Sequence, residues 1–379
     1  MLKQWTLAAG ATAMLSLMLP GTALAAGESS TLAPEVGARA AILVNARNGA
    51  ILYEKNAFRQ MDPASLTKMM TALLVIEHGH LNQVVTISKR ADYTSGSSLH
   101  ISQGQQYTRL DLLKGLLLRS GNDASVALAE SEAGSVERFV AEMNVKAQQL
   151  GAFNTSFENT HGLTRPGHYS SAYDLSLIAR TALRLPLFQE IVKSPEQDIL
   201  ELTRHKKRTI HTTNALLFGF PGADGVKTGT TSAAGKCLVA SATRDNRQLI
   251  AVVLYSPDRW QDAGSLLNWG FSQWSSVKAL SSGDAMVKRP VAGGNPETAA
   301  LAPHHSVWVD IPLNGGYATS VDVPARLRPP LSPTQRAGFI TITPPAQPPI
   351  RVGLYPTQRV RKKLPPVRFW DWLLHRHPR

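Results

Sequence analysis

Three short segments of this chain carry residue types that can do chemistry together. They are Ser65-Leu66-Thr67-Lys68, Ser120-Gly121-Asn122 and Lys227-Thr228-Gly229, in that order and separated by about 50 and 105 residues. A serine hydroxyl is a poor nucleophile at neutral pH and needs a base within hydrogen-bond reach. Ser65 and Lys68 stand at i and i+3, which on a helix places their Cβ atoms on one face about 5–6 Å apart. Lysine is ordinarily protonated, with a reference pKa of about 10.4. Burial and a neighbouring cation both lower it, and Lys227 is the candidate neighbour. Lys68 then takes the serine proton. Ser65 at a helix N-terminus also gains from the dipole, which favours negative charge developing there. The chemistry these groups can do is acyl transfer through a serine ester.

The other two segments complete that chemistry. A tight turn at Ser120-Gly121-Asn122 holds short polar side chains over a cleft. There Ser120 can relay a proton to a leaving amine, while Asn122 orients Lys68 and an amide of the substrate. Lys227 on a strand supplies a fixed positive charge next to Thr228. Gly229 removes a side chain, so that an extended peptide can approach the strand. An oxyanion hole needs two backbone N–H groups, and those of Ser65 and Thr230 are the candidates. Each triplet alone is common in proteins of this size; the joint order, with each motif on the expected element type, carries the reading.

The elements that must position these groups are legible from pattern. Two strands, 41–44 and 50–53, flank Arg47-Asn48-Gly49, and Asn-Gly between apolar runs is a strong hairpin signal. The run from Lys68 to Ile76 is apolar nearly all round, which predicts a buried helix. Further helices are expected at 110–118, 123–133, 135–150 and 171–185, the last stopped by Pro186. Strands are expected at 226–230, 236–243 and 248–255, then a helix at 266–274. Lys206-Lys207-Arg208 reads as a charged loop. Strands, then helices, then strands again point to an α+β fold, an antiparallel sheet with a helical subdomain.

Residues 1–25 read as a secretory signal peptide: Lys3 precedes an apolar run over 7–19, and Ala23-Leu24-Ala25 is an A-x-A cleavage site. The run is too short to span a membrane. The lone cysteine, Cys237, excludes an intrachain disulfide and sits in an alternating strand pattern as a buried residue. A catalytic domain is expected over 26–280 and a small all-β domain over 281–350, where Pro and Gly are frequent and helical periodicity is lost. Residues 351–379 read as a basic tail with eight basic residues and one acid, Asp371. The formal charge of the whole chain is +13. Export argues against nucleic acid as the partner and favours a membrane surface or an anionic wall polymer. Within the tail, Val367, Phe369, Trp370, Leu373 and Leu374 share one face of a short amphipathic helix suited to an interfacial anchor. No H-E-x-x-H and no spaced Cys/His cluster occurs, so neither a metal nor another cofactor is expected.

From about residue 40 to 274 the chain resembles the D-alanyl-D-alanine carboxypeptidases, the low-molecular-mass penicillin-binding proteins. The resemblance rests on Pro63-Ala64-Ser65-Leu66-Thr67-Lys68, Ser120-Gly121-Asn122-Asp123-Ala124, Asn159-Thr160-His161-Gly162-Leu163, Tyr169-Ser170-Ser171-Ala172, Asp224-Gly225-Val226-Lys227-Thr228-Gly229 and Leu266-Leu267-Asn268-Trp269-Gly270-Phe271. It implies a β-lactamase/transpeptidase-like domain followed by the family's small β-rich domain. It implies that Ser65 attacks the carbonyl between two terminal D-alanines of a peptidoglycan stem peptide, and that penicillins and other β-lactams inhibit by acylating the same serine. Arg259 matches by position the arginine that receives the substrate's terminal carboxylate. The resemblance also implies a periplasmic protein held at the outer face of the cytoplasmic membrane. Two departures stand out: Thr230 occupies a place where histidine is common, and Tyr173 one where arginine is common.

A serine β-lactamase shares the three motifs, but class A enzymes also use a glutamate for deacylation, and no Glu-x-x-x-Asn segment lies between Asn122 and Lys227. A D,D-endopeptidase differs in the shape of its pocket, which the sequence does not display. A silent D-Ala-D-Ala-binding module would keep the fold without turnover.

Overall fold

The computed structural model describes residues 32–345 and 347–364. The proposed signal peptide and the amphipathic segment 367–375 lie outside the described residues. Strands Ala40–Asn45 (β1), Ile51–Lys55 (β2), Ala223–Thr231 (β3), Gly235–Arg244 (β4) and Arg247–Ser256 (β5) form one antiparallel sheet in the order β2-β1-β5-β4-β3. Its central strands are apolar almost without interruption because the sheet is covered on both faces.

Side chains alternate across a strand, and the alternation sorts the sheet into two cores. Ile42, Val44, Val239, Ile250 and Val252 face the helices Lys68–His78 (α1), Asn122–Ala133 (α2), Val136–Gln149 (α3) and Ala172–Ala182 (α4). Leu43, Leu238, Ala240, Leu249 and Val253 face Leu266 and Leu267 of the helix Arg259–Gln273 (α5). Each such fully buried aliphatic side chain contributes about 1.5–3 kcal/mol. Helix α1 is buried from Lys68 to Val75, as its all-round apolar pattern predicts.

Three local readings differ from the structure. Pro186 does not only stop a helix; it opens the next one, Pro186–Val192, at the first helical position, where the missing N–H costs nothing. Lys206-Lys207-Arg208 is not a loop but the start of the strand Lys206–His211, paired with Glu196–Glu201. Its inward positions are few, since Ile199 and Ile210 alone are its buried aliphatics, and the charge run hides the alternation. The Leu110 helix is shorter and continues as a π-helical turn, Gly115–Arg119, that ends at Ser120.

The second domain is all-β, but its limits differ from 281–350. Strand Trp274–Leu280 (β6) follows α5 directly and pairs with Val307–Pro312 (β9). Strands Val287–Pro290 (β7), Thr298–Ala302 (β8), Ala318–Asp322 (β10), Gly338–Thr343 (β11) and Ile350–Pro356 (β12) form a sheet in the order β7-β8-β12-β11-β10. A short strand, Arg361–Lys362, pairs with Gly294–Asn295. Residues 351–362 are therefore part of this domain and not of a tail. Val352 and Leu354 are buried between solvent-facing neighbours; the basic charge of the segment masks this period-two pattern. Asp310 on β9 ties the two domains together, accepting hydrogen bonds from Asn45 Nδ2 and Asn48 Nδ2, both at 2.7 Å.

Candidate active site

Ser65 lies in the 3₁₀ turn Ala64–Thr67 that leads into α1. Ala64 immediately before it has φ +49°, an unfavourable conformation for a residue with a Cβ. Strain of this kind persists only when the surroundings fix it, and here they do. His168 Nδ1 accepts a hydrogen bond from the Glu158 N–H at 3.0 Å, so its proton sits on Nε2. Nε2 then donates to Thr67 Oγ1 at 2.9 Å, and Thr67 Oγ1 donates to the Ala64 carbonyl at 2.9 Å. Gly162, with φ +93°, packs against the same carbonyl so closely that a Cβ there would lie 1.8 Å from the Ala64 oxygen.

Lys68 is wholly buried. Its Nζ lies 3.0 Å from Ser65 Oγ, 2.6 Å from Asn122 Oδ1 and 2.8 Å from the His161 carbonyl. Burial above all, and then the nearby Lys227, hold its pKa well below the usual lysine value; Asp123 opposes them. An ammonium would donate to all three oxygens. In the neutral amine that burial favours, two N–H groups go to the carbonyl-type oxygens, which can only accept, and the lone pair is left for the Ser65 hydroxyl proton. Asn122 is fixed in turn, because its Nδ2 donates to the Ser95 carbonyl at 2.7 Å. Asp123 accepts from Ser98 Oγ and from the Leu99 N–H, pinning the loop that carries Ser95.

Ser120 caps the π-helical turn in a left-handed conformation, φ +61°. Its Oγ is buried and has no partner among the described residues. Strand β3 supplies the other wall. Lys227 is buried, donates to the Thr228 carbonyl at 2.9 Å, and is lowered to about 7 by burial and by Arg259. Thr228 Oγ1 is 2.7 Å from Thr213 Oγ1. A Cβ on Gly229 would lie 3.1 Å from the Ser65 amide nitrogen, which shows how closely the strand approaches Ser65. Arg259 Nη1 donates to the Gly229 carbonyl and to Thr230 Oγ1, both at 2.9 Å, and its Nε is buried without a partner among the described residues. The structure thus brings Lys68, Asn122 and the strand Lys227–Thr230 with Arg259 up to Ser65, with Ser120 at the turn just before Asn122; Tyr173 packs instead against Phe58.

A family model described as D-alanyl-D-alanine carboxypeptidase matches residues 27–258. The chain belongs to the D-alanyl-D-alanine carboxypeptidase family. Among its relatives in that family, DacF of Bacillus subtilis is 37% identical over 300 residues, covering 74% of this chain and 76% of that protein. DacC of Escherichia coli is 37% identical over 332 residues, 84% of this chain and 78% of that protein. The solved structure of penicillin binding protein 5 from Haemophilus influenzae superposes with a TM-score of 0.77 at 32% identity, covering 87% of this chain and 99% of that one. The likeness therefore extends past the catalytic sheet of the carboxypeptidase family into the β-rich domain.

Sequence reasoning gave no role to His161, His168, Asn159 or Asp123. Asn159 Oδ1 accepts from the Gly162 N–H at 2.6 Å and holds the loop whose His161 carbonyl meets Lys68. The segment Asn159-Thr160-His161-Gly162 is visible in the sequence as part of the family pattern, but its work is done by backbone atoms, which composition does not mark.

Both histidines are kept neutral by burial, His168 at about 4 and His161 at about 3, against an ordinary 6.5. The unfolded chain binds protons from about pH 6.5 downward while the fold does not. Stability is therefore full above pH 6.5 and is lost as pH falls toward 4, by about 1.4 kcal/mol per pH unit for each ring. The urea midpoint is expected to drop between pH 7 and pH 5, and to drop less in His168→Gln. Equal pH sensitivity of the two proteins would contradict a neutral, buried His168.

Proposed function

We propose that this chain removes the terminal D-alanine from peptidoglycan stem pentapeptides through an acyl-enzyme on Ser65. The observation that carries the reading is Lys68: buried, lowered in pKa, and with its Nζ 3.0 Å from Ser65 Oγ. Ser65 Oγ attacks the penultimate D-alanine carbonyl and Lys68 takes the proton. The N–H groups of Ser65 and Thr230 hold the oxyanion. The unpartnered Ser120 hydroxyl passes the proton to the leaving amine, so that free D-alanine departs. A water molecule then attacks the ester, with Lys68 again as base and Asn122 holding it in place. Lys227 and Arg259 receive the substrate's terminal carboxylate. The peptide pairs along β3, which is an edge strand, in the manner of strand addition. Penicillins acylate the same serine.

The test is release of free D-alanine from a purified stem pentapeptide. The mature protein is expected to release it and Ser65→Ala to release none. Cleavage confined to cross-linked muropeptides would move the assignment to a D,D-endopeptidase, and rapid hydrolysis of penicillin to a β-lactamase.

Export and membrane attachment belong to the same proposal. No helix among the described residues is long and apolar enough to cross a membrane. The signal sequence, with cleavage after Ala25 or Ala26, supports export, and the aromatic and basic residues of 365–379 support peripheral attachment. Truncation after Leu364 keeps the last strand and the buried Val360. It is expected to move the protein from the membrane fraction to the soluble periplasm with D-alanine release intact. An unchanged membrane fraction removes the anchor.

A further inference from the structure

A cavity of about 1300 Å³ opens away from Ser65, where the β1–β2 and β4–β5 turns and the ends of α4 and α5 meet the second domain at Trp308. Five arginines line it, Arg47, Arg180, Arg184, Arg244 and Arg247, against one carboxylate, Asp245. Among the described residues the arginines in ion pairs are Arg90, Arg109 and Arg351; none of the five is neutralised in that way.

Asp310 attracts Arg47 and Arg247 without pairing with either, and Asp245 attracts Arg247; the hydrogen bonds of the five go to neutral groups. Arg180 Nε donates to the Ala46 carbonyl at 3.1 Å, Arg244 Nη2 to Asn268 Oδ1 at 2.9 Å, and Arg247 Nη2 to the Phe271 carbonyl at 3.0 Å. Arg244 and Arg247 lie over the Phe271 ring and Arg47 over Trp308. The guanidinium groups of Arg47 and Arg184 make no hydrogen bond among the described residues. Burial and then the nearby Arg184 lower Arg180, with Tyr173 opposing them, as expected where two like charges lie close together. Two further donors of the lining, Trp269 Nε1 and Ser276 Oγ, are buried with no partner.

This arrangement selects among ligands. The faces of Phe271 and Trp308 already carry the protein's own cations, so the rings serve to set guanidinium planes and not to stack a sugar. One guanidinium fork fills the two oxygens of a carboxylate, and a single carboxylate would leave most of the charge unmet. A terminal phosphate brings nearly two charges and three acceptor oxygens, and a diester phosphate one charge and two, so a few phosphates together meet several forks. Pockets for single small molecules reach about 1000 Å³, so there is room here for more than one such group. We propose that this interdomain cavity binds phosphate oxyanions of a multiply charged ligand, borne either on a soluble phosphate chain or on the headgroups of an anionic membrane surface.

The test is calorimetric titration of sodium tripolyphosphate into the mature protein. Saturable binding is expected, weakened at least tenfold in Arg47→Gln/Arg184→Gln. The control Arg138→Gln/Arg336→Gln removes the same charge elsewhere and is expected to bind as the wild type does. A cooperative thermal transition checks that each variant is folded. Should the double variant fail to fold, Arg184→Gln alone serves, since that side chain is exposed and unbonded. Absence of saturable binding below millimolar concentration, undiminished binding in the cavity variant, or equal loss in the control would overturn the proposal. Vesicles of phosphatidylglycerol, set against phosphatidylcholine and mixed with protein ending at Leu364 so that the basic tail cannot hold the membrane, separate the sources. Vesicle binding lost in the cavity variant assigns lipid headgroups; tripolyphosphate binding lost with vesicle binding unchanged assigns a soluble phosphate chain.

Discussion

Lys68→Gln is expected to slow acylation of Ser65 by penicillin about 10³-fold, within the range for removal of a general base, while the protein stays folded. The expectation follows from the state in which the structure holds Lys68. A charged lysine in this position would bury a cation against a second cation, Lys227, and its replacement would relieve the fold. A neutral lysine is already satisfied by Asn122 Oδ1, the His161 carbonyl and the Ser65 hydroxyl. Glutamine can reproduce the donors to those carbonyl oxygens but cannot accept the serine proton and carry it. Stability should therefore change little, and the acylation rate should collapse. Stopped-flow acylation with a fluorescent penicillin, paired with urea unfolding, separates the two effects. Acylation within tenfold of wild type would remove Lys68 from the role of base.

Gly162→Ala is expected to be nearly as damaging, although residue 162 bears no reactive group. A Cβ there meets the Ala64 carbonyl carbon at 2.3 Å and Thr67 Oγ1 at 2.9 Å, besides the oxygen itself. These are backbone and a bonded hydroxyl, not the free end of a flexible side chain, so the turn carrying Ser65 must move. Left-handed strain costs about 1–2 kcal/mol and overpacking a further 1–3 kcal/mol. A displacement of about 1 Å at a reacting group can cost 10²-fold in rate. Gly151→Ala is the control: φ is +78° but the nearest neighbouring atom to its Cβ is 4.0 Å away, so it carries the strain without the clash. Penicillin labelling should fall about 10²-fold or more in Gly162→Ala and hold in Gly151→Ala. Similar labelling of the two variants would mean that the Ala64 turn is not under steric control.

Chemistry carried by side-chain type was legible in the sequence; chemistry carried by backbone was not. Ser65, Lys68, Asn122, Lys227 and Arg259 could be named because serine, lysine, asparagine and arginine have distinctive functions at recognisable spacings. The carbonyl of His161 and the Thr67–His168 prop could not, since any residue has a carbonyl and a buried histidine looks like a surface one in a string of letters. The same contrast governs the fold. Strands β1, β4 and β5 announce themselves because both faces are buried and the run is continuously apolar. The Lys206–His211 strand and β12 are exposed on one face, and their lysines and arginines spoke more loudly than the alternating Ile210, Val352 and Leu354. Charge marks where a chain meets water; it does not mark whether that chain is extended. The cavity arginines were invisible for another reason: Arg47, Arg184 and Arg244 lie far apart in sequence, and only the pairing of β1 and β4 with β5, with α4 packed against the sheet, brings them to one end of the first domain.

Cys237 sits directly opposite Gly229 across the β3–β4 ladder, wholly buried, with its thiol pushed up to about 11 by burial. The thiolate is the reactive form, so the folded protein keeps its single thiol inert even under oxidising conditions. That inertness makes the residue a natural clock. An alkylating reagent can reach Cys237 only when the core packed over that face of the sheet opens, so the rate of labelling reads how often the sheet beside Ser65 is laid bare. A β-lactam bound to Ser65, pairing along the same strand, would register as a slowing of that clock, without any probe having been added to the protein.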